Sequence, residues 1–75
     1  MHLNQIIRNK RLAAGLTQEA LAQKVGVTAP AVSKWEKGIS YPDITLLPIL
    51  ARNLNTDVNT LFDFSADLDP AALRR

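Results

Sequence analysis

The sequence predicts an all-α fold, a compact domain of five helices built around a central pair joined by a tight turn. Three observations predict it. Between Thr17 and Gly38, 22 residues hold two short helical patterns, each with a threonine in front and a glycine behind. One helical stretch precedes this pair and two follow it. The 75 residues, 47% apolar and without cysteine, are enough for one small core held by packing alone.

The first predicted helix is Leu3 to Ala14. Leu3, Ile6, Ile7, Lys10, Arg11 and Ala14 follow the 3–4 spacing of one helical face, with two cations inside it, and Gly15 ends the run. Lys10 can lay its methylenes on the core and keep its ammonium in water. The second helix runs from Gln18 to about Val25. A Thr17 oxygen can accept an orphan N–H of its first turn. Ala20, Leu21, Ala22 and Val25 recur at helical spacing, and Gly26 stands where a left-handed C′ residue is wanted. Thr28 can cap the third helix, Ala29 to about Lys37. Pro30 falls among its orphan donors, where a missing N–H costs little. Val32 and Trp35, three apart, share a face that reads as core. Gly38 closes the pair. Helix, glycine turn and helix make the helix-turn-helix pattern, whose second helix can enter a DNA major groove.

Gly38 to Asp43 reads as a loop, with Ile39 expected to plug the core and Tyr41 free to pack on Pro42. In the fourth helix, Pro48 would break a bond to the Ile44 carbonyl if the helix began at Ile44. A regular helix starting after Thr45, preceded by a looser turn at Asp43–Thr45, avoids this, and it ends near Asn53 or Leu54. Its expected core set is Ile44, Leu47, Leu50, Ala51 and Leu54. The fifth helix is short, with Thr56 as cap and Val58, Leu61 and Phe62 facing inward. Residues 1–63 form the expected domain. Residues 64–75, FSADLDPAALRR, form a tail or linker; Asp69 ahead of Pro70 would suit one more helical turn, a frayed end, or the approach to a further domain or partner protein beyond residue 75.

Net charge is only +2, but residues 1–42 carry +4 and residues 43–75 carry −2. The positive half coincides with the helix pair, which suits a face for phosphates over an ordinary solvated surface. The longest apolar run, Leu46–Ala51, contains a proline and is too short for a bilayer, and MHLNQIIRNK lacks the apolar core of a secretion signal. The default expectation is a soluble, cytoplasmic protein without membrane contact. An enzyme is not expected: His2 is the one histidine, there is no glycine-rich phosphate loop, and no histidines or carboxylates stand at metal-ligand spacing. No cofactor or metal is expected.

The order of these pieces resembles the lambda-repressor-like helix-turn-helix family of Cro and phage-repressor type, found in bacterial and phage regulators. The resemblance is carried by IRNKR at Ile7–Arg11, GLTQEALAQKVGV at Gly15–Val27, SKWEKG at Ser33–Gly38 and YPDITLLPILARNLNTDVNTLF at Tyr41–Phe62, so it covers roughly residues 3 to 62. It implies a sequence-specific DNA-binding transcriptional regulator, a repressor in the first instance, acting as a homodimer on a two-fold-symmetric operator in double-stranded DNA. It also implies that Arg11 pairs with Glu36, tying the first helix to the end of the third, and that Gln18 clamps the DNA backbone.

On this reading Thr28, Ala29, Pro30, Ser33 and Lys34 face the bases, and Thr17, Gln18, Lys37, Ser40 and Tyr41 face phosphates. Lys34 can donate to guanine O6 and N7, Ser33 discriminates weakly, and Thr28, Ala29 and Pro30 offer contacts for a thymine methyl. For Ala29 and Pro30, plain helix-start chemistry is an equal explanation. With no arginine, asparagine or glutamine on this face, DNA shape and phosphate contacts carry a larger share of recognition. Leu46, Ile49 and Phe64 are left over from the core set and are either scattered surface residues or a dimer patch. The competing function is a protein-interaction module, such as an antitoxin-like partner-binding domain, that keeps the fold without strong DNA binding.

Overall fold

The computed structural model describes residues 3–62; the tail 64–75, and with it Phe64, lies outside the described residues. Five α-helices are present: α1 (Leu3–Ala13), α2 (Gln18–Val25), α3 (Ala29–Lys37), α4 (Leu47–Asn53) and α5 (Val58–Phe62), with a 3-10 turn at Ile44–Leu46 ahead of α4. No strand occurs among the described residues.

Local chemistry sets the helix ends. The Thr17 hydroxyl accepts from the Ala20 N–H at 3.0 Å and the Thr28 hydroxyl from the Ala31 N–H at 3.3 Å, so both helices of the central pair are capped as expected. At their far ends Gly26 and Gly38 adopt φ of 79° and 75°, a left-handed backbone that costs glycine nothing. The N–H of the next residue then returns to the helix, Val27 to the Ala22 carbonyl at 2.9 Å and Ile39 to the Lys34 carbonyl at 3.0 Å. The end of α4 uses the same device with Asn55, at φ 56°, in the glycine's place.

The core draws on every helix. Leu3 and Ile7 of α1, Leu21, Ala22 and Val25 of α2, Val32 and Trp35 of α3, Leu47, Leu50 and Ala51 of α4, Leu54, and Leu61 of α5 are all buried. Helix α3 packs on α1 and α2, while α4 packs on α2 and α5, and α5 closes back on α1. The helix pair is thus held from behind, and its outer side is left open.

Four expectations need correction. Ile39 does not plug the core: the chain leaves α3 through the left-handed turn at Gly38, Ile39 is 69% exposed in the loop beyond it, and Pro42 is the loop residue that is buried. Ile44 is 74% exposed. It lies in the 3-10 turn, whose three-residue repeat breaks the α-helical register assumed for the core set. Leu46 in turn is half-buried and packs against the core, so it is not a leftover residue. The cap of α5 is Asp57, which accepts from the Thr60 N–H at 2.6 Å. Thr56 belongs to the end of α4, its N–H bonded to the Ala51 carbonyl at 2.9 Å. The expectation for Pro48 holds. It stands in the first turn of α4, and the Ile44 carbonyl it cannot serve accepts from the Leu47 N–H. The inward placement of Phe62 rests on a side chain outside the described set.

Candidate nucleic-acid interface

Helix α3 turns about 100° per residue, which places Ala29, Pro30, Ser33, Lys34 and Lys37 within an arc of about 140°. The arc's centre lies opposite Val32 and Trp35, the two residues α3 buries. Pro30, Lys34 and Lys37 are exposed, Ala29 and Ser33 are half-buried, and Thr28 is exposed just ahead of the helix. Four of the five residues expected to face bases, Ala29, Pro30, Ser33 and Lys34, therefore share one side of α3, with Thr28 exposed at its N-cap and Lys37 at its C-terminal end. Beyond it Tyr41 is 64% exposed and Ser40 half-buried. Thr17 is exposed at the start of α2, its oxygen already occupied by the cap.

Behind this face, three elements are joined through one carboxylate. Arg11 Nε donates to Glu36 Oε2 at 2.6 Å and Arg11 Nη2 to Glu36 Oε1 at 3.0 Å, a bidentate pair from α1 to α3. Arg11 Nη1 donates to the Leu16 carbonyl at 2.8 Å, so the same guanidinium also holds the α1–α2 connection. The side chains are 11% and 5% exposed. The hydrogen bond to Glu36 pushes the Arg11 pKa upward and burial opposes it, so the guanidinium stays charged. Among the described residues no buried side-chain nitrogen or oxygen lacks a partner.

Two features were not read from the sequence. Gln18, expected either on phosphate or in solvent, donates from Nε2 to Glu36 Oε1 at 3.1 Å. Arg8 lines a cleft of about 180 Å³ together with Arg11, Gln18, Ser33, Glu36 and Lys37, between α1, the start of α2 and α3. The signal for Arg8 was its spacing: three residues before Arg11, it lies one turn away on the same side of α1. Of the residues considered for a dimer patch, Ile49 is 37% exposed, Leu46 packs on the core, and Phe64 lies outside the described residues.

Among the described residues no helix is long and apolar enough to cross a membrane, and no group of three or more acidic, histidine or cysteine side chains is placed to hold a metal.

Comparison with known proteins agrees with this fold. The helix-turn-helix family profile matches residues 7–61. The chain is 41% identical over 58 residues to an uncharacterised HTH-type transcriptional regulator of Archaeoglobus fulgidus, a match covering 77% of this chain and 83% of that protein. It is 33% identical over 61 residues to the HTH-type transcriptional activator BcrR of Enterococcus faecalis, covering 81% of this chain but only 30% of the activator. The crystal structure of the P22 c2 repressor in complex with a synthetic operator superposes with a TM-score of 0.77 at 30% identity, covering 81% of this chain and 92% of the repressor chain. By motif order, helix packing and these matches, the chain belongs to the lambda-repressor-like helix-turn-helix family of DNA-binding transcriptional regulators.

Proposed function

We propose that this domain binds double-stranded DNA sequence-specifically, with α3 in the major groove, and represses transcription by occupying an operator. The observation that carries the reading is the open side of α3: Ala29, Pro30, Ser33 and Lys34 stand opposite the buried Val32 and Trp35, with Thr28 exposed at the N-cap. Lys37 at the C-terminal end of that side, Thr17 and Gln18 at the start of α2, and Ser40 and Tyr41 in the loop after α3 serve as phosphate contacts. The P22 c2 repressor, a structural neighbour, is recorded on an operator. Repression asks only for occupancy of the operator.

The binding unit is a homodimer on a two-fold-symmetric site. A domain with net charge +2 gains from doubling its phosphate contacts. Two-fold pairing sets the reading helices about one DNA turn apart, roughly 34 Å. Of the residues considered for pairing, Ile49 is the one exposed among the described residues, and Ile44, three residues before the start of α4 at Leu47, adds exposed apolar surface nearby in the sequence. With DNA as partner, the working location is the cytoplasm.

The test is selection of bound sites from random duplex, followed by titration of selected and random duplexes across a range of salt. The expected result is an enriched palindromic site and a log-log salt slope of several units for both duplexes. No enrichment and no salt-dependent binding would favour the protein-interaction module instead.

A further inference from the structure

The Glu36 carboxylate has more bonds than a clamp between two helices requires. Oε2 takes Arg11 Nε, and Oε1 takes both Arg11 Nη2 and Gln18 Nε2. Gln18 is the first residue of α2 and borders the cleft that also holds Arg8, Ser33 and Lys37. A primary amide carries two N–H bonds diverging in one plane. Seating one of them on Glu36 fixes that plane and turns the second away from the carboxylate. Arg11 balances the Glu36 charge, so the cleft keeps the positive charge of Arg8 and Lys37 and favours an anionic oxygen at the free N–H.

We infer that Glu36 is a positioning residue for DNA docking: through Oε1 it holds the Gln18 carboxamide so that its second N–H meets a backbone phosphate. This rests on the reading of the α2–α3 face as a duplex-binding surface. Without the carboxylate, a glutamine on a first helical turn samples several rotamers and loses conformational freedom on binding. With it, the donor is already in place.

Two measurements test this. In the free wild-type protein, NMR relaxation of the Gln18 side-chain amide is expected to show a group as ordered as the α2 backbone. An amide as mobile as that of the exposed Gln23 overturns the inference. The second measurement replaces single phosphates of a selected duplex by uncharged methylphosphonate and compares three proteins: wild type, Gln18→Ala, and the double variant Arg11→Met with Glu36→Leu. Exchanging a buried pair for apolar residues of similar size leaves no unpaired charge, so the double variant is expected to fold. One phosphate should matter to the wild type and be silent in both variants, each binding the unmodified duplex about tenfold more weakly. The other sensitive phosphates should stay sensitive. An unchanged phosphate pattern in the double variant, or a loss spread evenly over all phosphates, overturns this role alone. Absence of wild-type binding to any duplex overturns the docking reading and this role with it.

Discussion

Replacing Glu36 by alanine should destabilise this domain far more than a surface substitution would. The change deletes both bonds from Arg11 and the one from Gln18, and leaves the guanidinium with only the Leu16 carbonyl. Exposed ion pairs contribute about 0–1 kcal/mol, whereas removing one partner of a fully buried pair costs about 3–5 kcal/mol. Arg11 is 9% exposed as a whole residue, close to the buried end but with an edge in water, so about 2–4 kcal/mol is the expected loss. A 75-residue domain has only about 4–11 kcal/mol in total. The melting temperature should fall by about 10 °C or more. Urea unfolding at neutral pH, followed by Trp35 fluorescence, measures the effect. A double-mutant cycle with Arg11→Ala isolates the pair, with an expected coupling of more than about 1.5 kcal/mol. Additivity within about 0.5 kcal/mol would refute the claim that this contact joins α1 to α3.

Other predictions test the turn, a cap, the reading helix and the pairing surface. Gly26→Ala meets no atom within 4 Å, so its cost comes from φ 79° alone; a loss of about 1–2 kcal/mol is expected in a thermal melt, and Gly26→Asn should recover part of it. The Asp57 carboxyl is held below its ordinary pKa, chiefly by the Thr60 backbone N–H. Its contribution is therefore complete above the unfolded carboxylate pKa and lost as pH falls through the lower folded value. An acid titration of stability should be flatter for Asp57→Ala than for wild type, and an equal effect from Thr56→Ala would contradict the cap assignment. Lys34→Ala should cost roughly 1–3 kcal/mol on the selected site and relax preference at one base pair, while Lys37→Ala should weaken all duplexes alike and lower the salt slope by about one. Binding isotherms across salt distinguish the two, and a uniform loss for Lys34→Ala would make it a phosphate contact. Ile49→Asp should leave the melt nearly intact and abolish cooperative binding to a palindromic site; retained cooperativity would move the pairing surface elsewhere.

What could be read from the chain alone is what neighbours in sequence decide. Thr17, Gly26, Thr28 and Gly38 bound α2 and α3 because a cap acts within three or four residues of itself, and so the helix-turn-helix was legible with its limits. The open and buried sides of α3 followed from helical periodicity, which needs no partner to be known. Pro48 announced its own turn, since a missing N–H is a covalent property. The family was legible in the order of these pieces, and the Arg11–Glu36 pair came with it. Tertiary structure decided the rest. Ile39 and Ile44 have the composition of core residues, but they stand in the loop after α3 and in the 3-10 turn before α4, outside the regular helices whose spacing sets a buried face, and both are exposed. Thr56 was as good a cap as Asp57 until the start of α5 at Val58 made Asp57 the residue whose side-chain oxygen reaches the first-turn N–H groups. The Gln18–Glu36 contact spans 18 residues and Arg8 reaches the same cleft from a third helix. Such contacts depend on how helices cross, and no local spacing encodes a crossing.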